Sequence, residues 1–453
     1  MALRGLTIGP DKTLRYDGQR FRNTGLNYGW GICQIYSATA PTVCPYTPSA
    51  DQDAMLDVCV SMKVKVIRVK AFPYWPSWWT AGVLNGKSVA AANAADREPH
   101  YLKIDAFLAK CRVRGIGVIL NLFFRHTTPT DLCGQTNRAG WLTAGSTTRN
   151  FVQAVTQEVV TRYLTEEAIL GYEWSNEVNH RNDASDATRG SYPTVNASYG
   201  TQASYSAAND IFNGAELASV ISWWYGVVSA IDNQRIVLTG NGPNSYSQPG
   251  GTAGISTPLK PWHEEQVRDN PTNCGSIHWY GNIGYGSNGF KGLNGILTGV
   301  RHWQNQAGRG FVLGEFGNQP WKITNISASG GVATFTVDAS CPVEVGDRIA
   351  TCGTGTALDH QWLTVSTVNS ARSSITAPYS GTVSWSGSVN GLRYIDGIKM
   401  ARMCDDIIES GTDVALWWMI DSDPIRPVGE SIHDAGNEEL RAAILAANTR
   451  LGW

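Results

Sequence analysis

The chain has 453 residues, 42% apolar and 16% charged, with 36 basic side chains against 38 acidic ones and a formal charge of -2. This is a globular composition, and near-neutrality without a long basic run removes the electrostatic footprint of a protein that grips nucleic acid or anionic lipid. No apolar stretch approaches the roughly 20 residues a membrane-spanning helix needs, and GIGVILNLFF at 115–124 reads as a buried strand.

Taken in chain order, the first signal is Asp17-Gly18 in LRYDGQRFR, which predicts a two-residue hairpin. Eight short apolar runs then follow, at 21–28, 64–69, 117–124, 169–175, 235–240, 274–280, 310–316 and 413–420. They alternate with helical patterns near 50–62, 99–113, 148–165, 205–232, 261–268, 292–307, 393–410 and 434–448. Runs rich in Val, Ile and Leu with little polar alternation suit strands covered on both faces. Eight such units predict an α/β fold closed as a (β/α)8 TIM barrel. The rival, a doubly wound sheet, lacks a Gly-rich phosphate turn after its early strands.

The rhythm breaks at 322–391, where Thr, Val, Ser and Gly alternate with period two. This predicts a small all-β insertion between strand 7 and helix 7, with 1–321 and 392–453 forming the barrel and its N-terminal hairpin. Loops after barrel strands emerge on the catalytic face, so the insertion is expected to flank the active site. Nine widely spaced cysteines form neither a zinc ribbon nor a disulfide framework, and buried thiols are the expectation. Cys33 with Cys44, and Cys341 with Cys352, are the pairs placed to bridge under oxidising conditions.

The 17 Trp and 17 Tyr exceed what core packing recruits, and flat rings stack on the axial C–H faces of sugars. Tyr28, Trp30, Tyr74, Trp75, Trp78 and Trp79 follow the first two strands and are candidates for that stacking. Polar residues at strand ends carry the chemistry of such a barrel. Glu177 ends the fourth run in EWSNEVNH and Glu315 the seventh in VLGEFGN, so closure brings two remote carboxylates to one mouth. One carboxylate to attack an anomeric carbon and one to protonate the leaving oxygen is what glycosidic hydrolysis requires, with no metal or other cofactor.

These motifs resemble those of the clan A glycoside hydrolases, most closely family 5, over roughly 15–321 and 392–453. WSNEVN is similar to the clan's acid/base motif, and the resemblance implies Glu177 as acid/base with Asn176 on the sugar 2-hydroxyl. LGEFG is similar to the nucleophile motif, implying Glu315. HWYG implies His278 beside the acid/base and Tyr280 donating to the nucleophile. VIRV implies Arg68 holding the nucleophile ionised, and LWWMID implies Trp418 as the floor of the subsite at the scissile bond. Two departures stand out. The third strand reads Asn121-Leu122-Phe123-Phe124 where the family commonly has an acidic residue followed two positions later by His, leaving only Arg125 and His126 afterwards. Val178 also follows the acid/base where Pro is frequent.

The expected function is a retaining β-glycosidase acting on a polysaccharide or oligosaccharide, with a β-linked glycan as its partner. The alternatives are a non-catalytic carbohydrate-binding protein on a hydrolase scaffold, a transglycosylase, and a virion-borne depolymerase. The last is prompted by the β-rich insertion and by an N-terminus without an apolar signal core, which a piece of a secreted enzyme explains equally.

Overall fold

The computed structural model describes residues 5–34, 43–177, 207–210, 212, 214–240, 271–280, 293–317, 321–339, 341–418 and 437–453. Eight parallel strands form the central sheet: β1 (Asn23–Asn27), β2 (Val66–Lys70), β3 (Gly117–Phe123), β4 (Ile169–Ser175), β5 (Ile236–Leu238), β6 (Cys274–Tyr280), β7 (Gly310–Gly317) and β8 (Val414–Trp418). Their order is β5-β4-β3-β2-β1-β8-β7-β6, the cyclic order of a (β/α)8 barrel. Between β5 and β6 side chains replace the backbone ladder. Asn273 accepts from Val237 N–H at 2.7 Å and donates to the Arg235 carbonyl at 3.0 Å, and Ser276 Oγ accepts from Gly240 N–H at 3.0 Å.

The longer helices described between or after strands are α1 (Ser49–Ser61), α2 (Ala94–Val113), α3 (Thr147–Arg162), α4 (Gly214–Ser229), α5 (Leu293–Gln306), α6 (Gly397–Glu409) and α7 (Glu438–Arg450). Each matches a predicted pattern, while the pattern at 261–268 lies outside the described residues. Helix α2 starts on a capping box, with Asn93 accepting from Asp96 N–H and Asp96 accepting from Asn93 N–H. None of the described helices is long and apolar enough to cross a membrane.

Strand periodicity divides the core in two. Val66, Ile119, Ile236, Val312, Val414 and Leu416 fill the barrel interior together with Leu6, Leu14 and Phe21 from the N-terminal segment, which plugs its floor. Ile67, Val118, Leu120, Ala415 and Trp417 point outward onto the helices. The plug is the predicted hairpin: Leu14–Tyr16 pairs with Gln19–Arg20 across Asp17 (φ 49°) and Gly18 (φ 76°), both left-handed as a tight two-residue turn demands. It is pinned by Asp413, which accepts from Leu14 N–H and Arg20 Nε, both at 2.8 Å.

Beyond β7 the chain forms an antiparallel seven-stranded sheet running from Trp321 to Arg393. Ion pairs fasten it to α6 and α7: Lys399 to Asp347 at 2.8 Å and Arg348 to Glu439 at 2.8 Å. Both contacts lie at helix N-termini, the ends that follow the C-terminal mouth of barrel strands. All nine cysteines are free thiols and eight are buried, with Cys33 and Cys44 holding their sulfurs 3.8 Å apart.

Candidate active site

Two local irregularities aim the carboxylates. Along β7 the pairing with β6 shifts between Leu313 and Glu315, and that with β8 between Leu313 and Phe316, so Gly314 is a bulge residue that re-aims Glu315 into the barrel. The bulge is held by Asn27, whose Nδ2 donates to the Gly314 carbonyl at 3.0 Å. A side chain at 314 would sit 3.1 Å from the His278 ring, so glycine also leaves room for the imidazole. At the end of β4, Glu177 adopts φ 50°, a left-handed conformation uncommon for a non-glycine residue and concentrated at functional sites. Its N–H donates to the Gly240 carbonyl at 2.6 Å, and Gly240 itself (φ 76°) lies so near β4 that a Cβ would be 1.8 Å from the Ser175 oxygen.

Arg68 is the hub. Its Nη1 donates to Glu315 Oε1 at 2.7 Å and to Asn27 Oδ1 at 3.1 Å, its Nη2 to Asn176 Oδ1 at 2.8 Å, and its Nε to Glu173 Oε2. Burial opposes the charged guanidinium, but the Glu173 and then Glu315 carboxylates outweigh it and leave the Arg68 pKa raised. His278 Nδ1 lies 2.9 Å from Glu177 Oε1 and 3.2 Å from Glu315 Oε2. With Nε2 lacking a hydrogen-bond partner among the described residues, the arrangement favours the proton on Nδ1, from which it donates to the carboxylates. One carboxylate oxygen each of Glu177 and Glu315 and a ring nitrogen of His278 all fall within 4.8 Å of one another. The two carboxylates differ in setting: Glu315 is 3% exposed and Glu177 29%.

Glu177 and Asn176 border a cleft of about 300 Å³ whose other walls are Tyr74, Phe124, Arg125, His126 and Thr127. Arg125 is fixed there by Asp131 at 2.8 Å and by the rings of Trp75 and Tyr74, 5.2 and 5.8 Å from its guanidinium carbon. Trp30 packs with Tyr74, Phe124 and Trp418, and the Lys70 ammonium lies 5.0 Å from the Trp30 ring centre.

The structure thus brings Arg68, Asn176, Glu177, His278 and Glu315 together, with Trp418 and Trp75 partly buried nearby. Tyr280 ends β6, and its side chain lies outside the described residues. The stacking expectation for Trp78 is overturned. Its ring is fully buried, as is that of Trp79, because the short helix at Pro76–Trp78 and the turn that continues it fold both onto the barrel wall, and Tyr28 is buried separately against Phe107. Trp30 is only 3% exposed, covered by the neighbouring rings, and so presents no open stacking face.

Sequence reasoning missed Glu173, Asn121 and Asn27. Asn121 Nδ2 donates to Glu173 Oε2 at 2.7 Å and to the Ser175 carbonyl at 3.0 Å. The available signal was a lone carboxylate inside the otherwise apolar ILGYEWS, since a charge buried in a strand demands an opposite charge, and VIRVK offered cations on one face in Arg68 and Lys70. The position two residues beyond Asn121 is Phe123, which stacks on Phe72 and Trp79.

No family model and no curated protein matches the chain. Solved structures do. An endo-1,4-β-mannanase from Rhizomucor miehei aligns with TM-score 0.55 at 10% identity, over 98% of this chain and 99% of its own. A glycoside hydrolase family 5 mannosidase from the same organism aligns at 0.54 and 9% identity, over 99% and 100%. An endo-β-1,4-mannanase from Thermotoga petrophila aligns at 0.53 and 14% identity, over 96% and 78%. The likeness is one of fold: this chain has a (β/α)8 barrel like that of these glycoside hydrolases.

Proposed function

We propose that the chain is a retaining β-glycoside hydrolase, and the observation that carries this reading is the convergence of Glu177 and Glu315 on the single His278 Nδ1. Carboxylate oxygens within 4.8 Å favour direct attack, since inversion needs about 6.5–9.5 Å to admit a water. Glu315, buried and bonded to Arg68, is the ionised nucleophile. Glu177, open to the cleft, protonates the departing oxygen. Having given its proton to the departing oxygen, Glu177 is a carboxylate, and with the Glu315 charge removed by esterification it stays ionised and takes the proton of the attacking water.

Because Arg68 engages Asn176 through its oxygen, the amide NH2 is the end turned to a sugar 2-hydroxyl. Trp418 floors the subsite, Trp75 lines its approach, and Tyr280 is assigned as a second donor to the nucleophile. The neighbours' titles name mannanases and mannosidases, which makes β-1,4-mannan the first substrate to try, with other β-linked glycans beside it.

Three proteins test the roles. Glu315→Ala is expected to lose all turnover of aryl β-glycosides, with azide restoring a product of inverted configuration. Glu177→Ala is expected to keep slow turnover where the leaving group needs no protonation, and azide there gives a product of retained configuration. Equal activity in the wild type and both variants ends the assignment.

A further inference from the structure

The mechanism uses Arg68 as the partner of the nucleophile, yet its strongest buried neighbour is a different carboxylate. Glu173 and Glu315 are 1% and 3% exposed, Arg68 is 2% exposed, and both acids bond to the same guanidinium, through Nε and Nη1 respectively. The remaining Arg68 hydrogen bonds go to the neutral amide oxygens of Asn27 and Asn176, and the Phe124 ring, which carries no charge, lies 5.5 Å from its guanidinium carbon. One cation thus serves two buried anions, and the trio carries a net negative charge.

We propose that Glu173 is a positioning residue that divides the Arg68 charge, orienting the guanidinium while keeping it from fully neutralising Glu315, so that the nucleophile stays reactive. The inference rests on the reading of Glu315 as nucleophile and adds what sets its charge. A nucleophile locked in an undivided pair with Arg68 is more stable as an anion and loses more of that stabilisation when attack neutralises it; a second anion on the same guanidinium reduces that ground-state stabilisation. Asn121 supports the arrangement by donating to Glu173 at 2.7 Å without adding charge. Other titratable groups around the trio are Lys70 on the same strand as Arg68, Cys274 and His278 on β6, and Glu177 beyond β4; the described residues of β5 are apolar.

The test is a carboxyl titration that needs no substrate. Protein labelled with 13C at glutamate Cδ is followed by NMR from pH 3 to 8, with Glu315→Gln identifying the Glu315 signal. In Glu173→Gln, which keeps the shape and removes the charge, the Glu315 midpoint is expected to fall by about one unit, a typical effect of losing one close buried charge. Glu173→Asp, which keeps the charge, is expected to restore it. With an activated aryl β-mannoside, the acid limb of kcat/KM shifts down in parallel in the Gln variant while the plateau drops. A merely structural Glu173 would lower the plateau and leave the limb in place, which overturns the proposal.

Should the Gln variant not fold, the wild type suffices. Two acids sharing one cation titrate as a coupled pair, so the Glu315 signal carries two inflections, and a single simple inflection overturns the sharing. A shifted titration without turnover of any glycan upholds the charge division and counts against the hydrolase reading. An unshifted titration in an active enzyme overturns the charge division alone.

Discussion

Gly240 touches no substrate in the proposed mechanism, yet Gly240→Ala is expected to disable the acid/base. The residue sits at φ 76°, where an L side chain costs about 1 kcal/mol. The larger effect is steric, because the added methyl would lie 1.8 Å from the Ser175 carbonyl oxygen. Real Cβ contacts almost never fall below 3.0 Å, so the end of β4 and the Gly240 segment must separate by roughly 1.2 Å. Glu177 is two residues beyond Ser175 and donates its own N–H to the Gly240 carbonyl, so the displacement passes directly into its left-handed backbone. A misplacement of about 1 Å costs on the order of 100-fold in rate. The assay is kcat/KM on two aryl β-glycosides that differ in leaving-group pKa. The loss is expected to approach 100-fold for the poor leaving group, which needs the acid, and to be much smaller for the activated one. Full activity on the poor leaving group, in a variant with unchanged thermal stability, would refute the argument that this glycine holds Glu177 in place.

Trp78→Ala is expected to destabilise the fold by about 3–5 kcal/mol, as removal of a buried Trp does, visible as a fall in denaturation midpoint. Trp75→Ala, at the partly buried rim, is expected to raise KM with less than about 1 kcal/mol of stability lost. His100 is buried between the Ala71 carbonyl (3.0 Å) and the Tyr46 hydroxyl (3.0 Å), and burial lowers its pKa from 6.5 to about 4. The folded chain keeps it neutral while the unfolded chain takes up a proton. Stability that is complete above pH 6.5 therefore declines as pH falls toward 4, by up to about 3 kcal/mol. Urea denaturation at pH 7 and pH 4.5 measures this, and a wild-type slope no steeper than that of His100→Gln would contradict it.

The alternation of apolar runs with helical patterns carried the barrel, because strands covered on both faces leave a strong and unbroken signal. The carboxylates were legible for a related reason: charge at the end of an apolar strand is costly unless chemistry uses it. Cover was not legible. Trp78 and Trp30 follow β2 and β1 where a rim would be, and nothing in PYWPSWW distinguishes a ring facing a cleft from one folded under a short helix. The bulge at Gly314 was equally hidden, since one extra residue in a strand leaves hydrophobic spacing nearly intact while turning Glu315 to the other side. Glu173 escaped because its meaning depends on Arg68, about a hundred residues earlier.

The stave between β5 and β6 is stitched by Asn273 and Ser276, where every neighbouring pair of strands shares a ladder. Amide hydrogen exchange is therefore expected to begin at this seam, with Val237 and Gly240 exchanging ahead of the amides of β1, β2 and β8. Glu177 hangs from one side of that seam and Glu315 stands beyond it, so breathing of a single joint can uncouple the proton donor while leaving the nucleophile and its cation assembled. Heat inactivation that runs ahead of global melting, with Glu315 still open to covalent labelling by an activated fluoro-sugar, is the behaviour such a joint produces.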